Sequence, residues 1–287
     1  MTTEMRVLIT GAKGQLGIEL KRQFIHLIDR GEVSVLVETD LDNLDITIQE
    51  DVSRLLGETV PDVVINCAAY TNVDGCEKDA ETAFRVNALG ARNLAVAAFG
   101  IGAKIVQIST DYVFEGNADK PLREYDPVNP QCVYGKSKEL GERLVRATNP
   151  RHFILRTAWL FGDGNNFVRT MLKMAGERDE LGIVNDQYGS PTSTVDLGRC
   201  IIRLIKTEAY GTYHATCQGE CSWFEFARKI FEYKGISVRV YPLSTVELGR
   251  PAPRPKYSVL DNFMLRLIGL DTFRPWEEAL QEYLAKT

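Results

Sequence analysis

The chain has only three histidines, His26, His152 and His214, and its six cysteines, at 67, 76, 132, 200, 217 and 221, form no C-x-x-C pair. Ligands so scattered argue against a structural zinc site, and each thiol is expected to pack as a small hydrophobe. No apolar run reaches the roughly 20 residues that a bilayer-crossing helix needs. The opening MTTEMRVLIT lacks the basic region, long apolar stretch and small-residue cleavage site of a secretory leader. Positive charge is not in excess: 34 Lys and Arg stand against 39 Asp and Glu, for a net charge of −5. Such a chain is not expected to grip nucleic acid or an anionic membrane. Repeats and low-complexity tracts are missing as well. The expectation is a cytoplasmic protein with reduced thiols.

What is present is ordinary globular material: 287 residues, 44% hydrophobic and 25% charged. That length allows one large or two modest domains with a core needing no covalent staples. Short runs rich in Val and Ile at 6–10, 33–37, 62–67, 104–109 and 152–157 alternate with helical patterns near 15–29, 48–57, 76–99 and 134–148. Weakly alternating apolar runs of this length fit strands buried on both faces, and the βα alternation predicts a doubly wound parallel sheet. Beyond about residue 160 the pattern loosens. Helical stretches near 165–176, 194–206 and 222–234 are separated by short strands at 182–184, 211–215 and 237–241, and Arg250–Pro255 (RPAPRP) cannot be regular helix. The expected division is a dinucleotide-binding unit over 1–160 and a smaller α+β substrate unit over 161–287, with strands free to return to the first sheet.

The first strand runs into Thr10-Gly11-Ala12-Lys13-Gly14-Gln15-Leu16-Gly17 and then a helical pattern. Glycines at this spacing permit a sharp turn, close backbone approach to a pyrophosphate, and tight packing of helix on strand. The following helix offers free N–H groups to phosphate oxygens. The second strand ends at Val37-Glu38-Thr39-Asp40. Glu38 or Asp40 there suits a ribose hydroxyl and favours NAD, whereas Lys13 suits a 2′-phosphate and favours NADP. Farther on, Tyr134 and Lys138 stand one helical turn apart on one face. A phenol stabilised by a neighbouring ammonium should titrate below its usual range and can donate a proton to a carbonyl oxygen as hydride reaches the carbon. Ser109-Thr110-Asp111-Tyr112 follows a buried strand, where open parallel sheets place their ligands.

The glycine loop, the S-T-D-Y stretch and Y-x-x-x-K together resemble the extended short-chain dehydrogenase/reductases. Asn66–Asp74 (NCAAYTNVD), Ile108–Phe114 (ISTDYVF), Arg156–Gly162 (RTAWLFG), Asn165–Val168 (NNFV), Asp186–Thr192 (DQYGSPT) and Arg254–Ser258 (RPKYS) are similar to the dTDP-4-dehydrorhamnose reductase family over nearly the whole chain. The resemblance implies a Rossmann-type fold and reduction of the C4 ketone of dTDP-4-dehydro-β-L-rhamnose by NADPH or NADH, the last step in making dTDP-L-rhamnose for surface polysaccharide. It implies Tyr134 as proton donor, Lys138 as its partner, Thr110 as the residue that tunes or orients the ketone, and Asp111 and Trp159 beside the sugar. It places Gly14, Gln15 and Leu16 on the cofactor phosphates, Asp45 and Ile46 beside the adenine, and Ala69, Tyr70 and Thr71 along the ribose and nicotinamide; Gly11, Gly17 and Asp40 join the cofactor set from the loop spacing and the end of the second strand.

Cofactor and nucleotide-sugar are both polyanions, yet the chain is acidic. A local cationic clamp is therefore expected, with Arg250, Arg254 and Lys256 of the proline-stiffened segment as its candidates and Arg254 as the leading one. Some relatives hold a metal ion at a dimer interface. Glu19, Asp196, Glu277, Glu278 and Glu282 are compatible with Mg2+, and whether this chain uses a metal, or is a monomer or a homodimer, stays open at the level of sequence. Two other classes fit the same fold: another nucleotide-sugar epimerase or reductase, and a non-catalytic regulatory relative. No glutamate directly follows Asp111, which counts against a dehydratase, and an intact Tyr134–Lys138 pair counts against a pure binding module.

Overall fold

The structure, a computed structural model, describes residues 4–287. Its centre is a six-stranded parallel sheet. The strands are β1 (Met5–Thr10), β2 (Val33–Thr39), β3 (Val63–Asn66), β4 (Lys104–Thr110), β5 (His152–Thr157) and, far later in the chain, β10 (Gly211–His214). Their spatial order is β2-β1-β3-β4-β5-β10. Alternation along each strand feeds two cores. Val7, Ile9, Val63, Ile65, Val106, Phe153 and Leu155 point to one face, and Leu8, Val64, Ile105 and Ile154 to the other. Both faces are covered, as the near-continuous apolar runs require.

Helices α1 (Gln15–Asp29), α2 (Gln49–Thr59) and α6 (Val133–Thr148) lie where the periodicity puts them. The stretch near 76–99 does not form one helix. It breaks into α3 (Val73–Lys78), α4 (Ala80–Phe84), a π-helical turn (Arg85–Gly90) and α5 (Ala91–Gly100). The cause is local: Asn72 and Asp79 accept from Gly75 N and Thr82 N and so start two short helices in succession. The π turn then aims Asn87 inward, and π turns of this kind gather at functional sites.

The remaining elements follow as β6 (Leu160–Phe161), α7 (Phe167–Glu177), β7 (Glu180–Val184), β8 (Tyr188–Gly189), β9 (Thr192–Ser193), α8 (Thr194–Leu204), β11 (Cys221–Ser222), α9 (Trp223–Lys234), β12 (Arg239–Leu243), α10 (Thr245–Leu248), α11 (Phe263–Leu267) and α12 (Trp276–Lys286). Three two-stranded sheets join β7 to β12, β8 to β11 and β6 to β9. Ser222 and Glu225 form a capping box that starts α9, and Gly235 in the left-handed region ends it. The strand expected at 211–215 returns to the main sheet beside β5, so the later part of the chain is not a separate layer. Helices α8 and α12 pack their apolar faces into the core that also takes α1. No helix among the described residues is long and apolar enough to cross a membrane.

Candidate active site

At the carboxyl ends of the strands lies a cavity of 930 Å³. There β1 lies between β2 and β3, and the glycine loop between β1 and α1 forms one wall. Gly11 has φ +66, and a Cβ on it would stand 2.6 Å from Ala68 N. A Cβ on Gly17 would stand 2.3 Å from Gly11 O. Both positions thus exclude any side chain. Gly14 caps α1 with no side-chain acceptor, and the first turn of α1 holds no acidic residue, so its N–H groups and dipole face an anion unopposed. Gln15 Oε1 is buried without a protein partner and lines the same wall. This cradle suits the pyrophosphate of a nicotinamide dinucleotide.

Gly11, Gly14, Gln15, Leu16, Gly17, Asp40, Asp45, Ile46, Ala69, Tyr70 and Thr71 all line the cavity, as do Thr110, Asp111, Tyr134, Lys138 and Trp159. Absent from the wall are Glu38, the three clamp candidates Arg250, Arg254 and Lys256, and the acidic metal candidates. The acidic candidates at the end of β2 are now distinguishable. Glu38 is held by Lys21 at 2.7 Å, whereas Asp40 lines the cavity and accepts the backbone N–H groups of Lys13 and Leu41. Lys13 also lines the cavity and pairs with Asp42 at 2.7 Å, both side chains being exposed.

Helix α6 carries Tyr134 and Lys138 on its inward face. Burial pushes the Tyr134 phenol well above its usual range, and the neighbouring Thr110 hydroxyl offsets this in part. The expectation that Lys138 would pull the phenol down is therefore corrected. Its Nζ donates to Ile108 O at 2.6 Å, and the dominant effect on the phenol is loss of water. Burial also lowers Lys138 to about 8. The pair is thus a phenol that keeps its proton beside a cation that can lose one. For an acid that must arrive protonated, this is the useful polarity. Asp111 is buried, accepts from Ser258 Oγ at 2.5 Å and Thr110 Oγ1 at 3.0 Å, and is pushed up to about 6 by desolvation.

Four contributors were given no role by the sequence, although Tyr112 and Thr157 lie in stretches it singled out. Asn87 accepts from Tyr70 N at 2.8 Å and donates to Tyr70 O and to Ser137 Oγ, which ties the Tyr70 segment to α6. Its only sequence signal is an asparagine inside an apolar helical stretch. Thr157 Oγ1 is buried without a protein partner and lines the cavity. Trp223 also lines it, stacked on Trp159 with ring centroids 3.5 Å apart. Tyr112, edge-on to Tyr134, completes that wall. Trp159 has φ +48, a conformation a bulky residue rarely adopts, and packs so closely on Gly189 that a Cβ there would collide with its ring. Trp223 takes one face of the Trp159 ring, so only the other face is left for the sugar that the resemblance puts beside it.

The cationic clamp also differs from expectation. Arg254 is engaged by Asp74 in a fork of 2.7 and 2.9 Å, Arg250 approaches the same carboxylate at 3.6 Å, and Ala252 N donates to it. A carboxylate already fills the guanidinium fork, so the proline-rich segment is latched onto α3. The acidic metal candidates do not assemble a donor set either. Glu19 is held by Arg22 and Gln23, Asp196 by Arg274, and Glu282 by Arg274 and Lys286. Among the described residues no group of three or more His, Cys, Asp or Glu is placed to hold a metal ion. Within one copy of the chain these carboxylates are thus already paired.

A doubly wound sheet with a glycine cradle at its first turn and a Thr–Tyr–Lys set across one cavity defines a nicotinamide-dependent oxidoreductase of the extended short-chain dehydrogenase/reductase class. The family model described as RmlD substrate binding domain matches residues 5–287. The chain belongs to the dTDP-4-dehydrorhamnose reductase family. A solved dTDP-4-dehydrorhamnose reductase from Clostridium acetobutylicum ATCC 824 is 52% identical to it, with a TM-score of 0.95 over 98% of this chain and 99% of that one. The dTDP-4-dehydrorhamnose reductase of Bacillus anthracis strain Ames, solved in complex with NADP, is 45% identical, with a TM-score of 0.95 over 99% of this chain and 100% of that one. The spore coat polysaccharide biosynthesis protein SpsK of Bacillus subtilis strain 168 is 45% identical over 97% of this chain and 96% of that protein.

Proposed function

We propose that this protein reduces the C4 ketone of dTDP-4-dehydro-β-L-rhamnose to dTDP-L-rhamnose, with NADPH as donor and NADH as a second donor. The observation that carries the reading is the meeting of Thr110 and Tyr134 in the cavity that the glycine loop lines. When bound, the dinucleotide supplies a hydride to the ketone carbon. The chain's own residues do the rest. The glycine loop and the α1 N-terminus hold the pyrophosphate through backbone N–H groups. Asp40, Asp45 and Ile46 flank the adenosine, and Ala69, Tyr70 and Thr71 the ribose and nicotinamide. Tyr134 gives its phenolic proton to the ketone oxygen, Thr110 orients that oxygen, and Lys138 helps Tyr134 recover a proton. Asp111 and Trp159 position the sugar. Residues 1–160 carry the dinucleotide, and 161–287, apart from the strand they return to the sheet, carry the nucleotide-sugar. Arg254 serves the diphosphate only after leaving Asp74.

Enzymatically generated dTDP-4-dehydro-L-rhamnose tests the assignment through loss of nicotinamide absorbance at about 340 nm. Stoichiometric oxidation of NADPH with formation of dTDP-L-rhamnose is the expected result. Isomerisation without net NADPH consumption identifies an epimerase, and binding without turnover a regulatory relative.

A further inference from the structure

Glu142 stands one turn beyond Lys138 on the face of α6 that carries Tyr134, and none of the steps above uses it. It is 2% exposed. Its Oε1 accepts from Ser109 Oγ at 2.6 Å and from Arg156 Nε at 2.9 Å, and its Oε2 accepts from Arg156 Nη2 at 2.7 Å. A carboxylate withdrawn this far from water persists only where such bonds offset its lost hydration.

The partners matter more than their number. Ser109 immediately precedes Thr110, and the residue before it, Ile108, gives its carbonyl to Lys138 Nζ. Helix α6 therefore meets the end of β4 in three rungs: Tyr134 against Thr110, Lys138 against Ile108 and Glu142 against Ser109. Through Arg156 the same carboxylate reaches β5, one residue before Thr157 and three before Trp159. We propose that Glu142 is a positioning residue for the reduction: fixed by Ser109 and Arg156, it holds α6 in register with β4 and gives the Lys138 ammonium a buried counter-charge. This rests on the reading of Lys138 as the partner of Tyr134.

The charges around the pair are few. Lys138 faces Glu142 from its own helix, which favours its charged form against burial, and the Cys67 thiol from the end of β3, which burial pushes up to about 12 and so keeps neutral. Glu142 faces Arg156 from β5 and Arg146 from its own helix, 3.7 Å from Oε2. Arg156 in turn faces the neutral His214 of β10. Removing the negative charge of Glu142 leaves Lys138 and Arg156 as two buried cations without their shared anion. The ammonium then loses its proton at lower pH.

Glu142→Gln tests this in the full-length enzyme, since it keeps the volume and one acceptor. The alkaline limb of kcat/KM reports free-enzyme groups and lies near the Lys138 value of about 8. In the variant it should move down by about one pH unit, which costs about tenfold in kcat/KM on the alkaline side. An NMR titration of Lys138 in isotopically labelled protein should show the same shift without reference to turnover. A limb and a Lys138 titration that stay in place while activity falls uniformly would overturn the proposal, because a merely structural tie moves neither. Should Glu142→Gln fail to fold, Ser109→Ala removes one rung and keeps the charge. It should lower kcat several-fold with the limb unmoved, and an unchanged kcat refutes the register argument. If the unsubstituted protein does not turn over the dTDP-sugar at all, the functional reading fails, and the Lys138 titration still decides on Glu142.

Discussion

Beneath the strand ends, the two halves of the sheet hold their polar groups in opposite ways. Under β1 and β3 the buried network is neutral. Thr10 Oγ1 donates to Asn66, Asn66 to Gln107, and Gln107 to Ile108 O. Under β4, β5 and β10 it is ionised or titratable: Asp111 with Ser258, and Glu142 with Ser109 and Arg156, next to His214, which burial holds neutral by lowering it to about 3. The two networks meet at the Ile108 carbonyl, which also receives Lys138. Backbone N–H groups and amides do not change charge with pH, so the dinucleotide side is built to hold a polyanion steadily. The side with Asp111, Tyr134, Lys138 and Glu142 carries buried groups that gain and lose protons, and under the proposed function it is the side toward the sugar.

The sharpest test of this contrast is Tyr134→Phe. It should lower kcat by about 10²-fold or more, as for loss of a general acid, and leave NADPH affinity nearly unchanged by fluorescence titration. A parallel loss of NADPH affinity breaks the separation between the halves. Asn66→Asp introduces a charge into the neutral network. An uncompensated buried carboxylate costs about 3 kcal/mol. The folded-state pKa of this new acid is raised above its unfolded value, so the penalty is small below about pH 4 and grows as pH rises through the folded value. Thermal melts should therefore separate from the parent at neutral pH and converge in acid. Equal destabilisation at both would mean the network tolerates charge. Arg254→Ala is expected to have the smallest effect, raising KM for the nucleotide-sugar a few-fold more than KM for NADPH. Equal changes in both constants would mean that the Asp74–Arg254 fork only fastens the loop.

The same contrast explains what could be read before the structure. The dinucleotide side is written in local signals: short Val- and Ile-rich runs, glycines at fixed spacing, a helix that follows at once. Residues 15–29 and 152–157 form a helix and a strand at the places their pattern indicates. The 76–99 stretch misled because capping by Asn72 and Asp79, which breaks it, competes with an otherwise continuous helical pattern. The C-terminal helix α12 went unread although Pro275 precedes it and Glu277 and Glu278 fill its first turn. On the sugar side the information is in pairings across great sequence distances. Asp74 with Arg254 and Asp111 with Ser258 are separated by 180 and 147 residues. Nothing local to Arg254 announces that a carboxylate will occupy its fork, and nothing near Trp159 announces Trp223. The phenol's direction of shift was misjudged for a related reason: spacing reveals a neighbour's charge, but not how much water is lost.

The sixth strand has a consequence for how this molecule can be made or cut. Because β10 is drawn from residues 211–214 and lies beside β5 at 152–157, the sheet cannot be completed on a ribosome until about three quarters of the polypeptide has emerged. A fragment ending near residue 160 would leave β5 as a bare edge, ready to pair with another chain. Anyone excising the nucleotide-binding portion for grafting or crystallisation should carry the nascent chain through β10, or supply that strand from elsewhere.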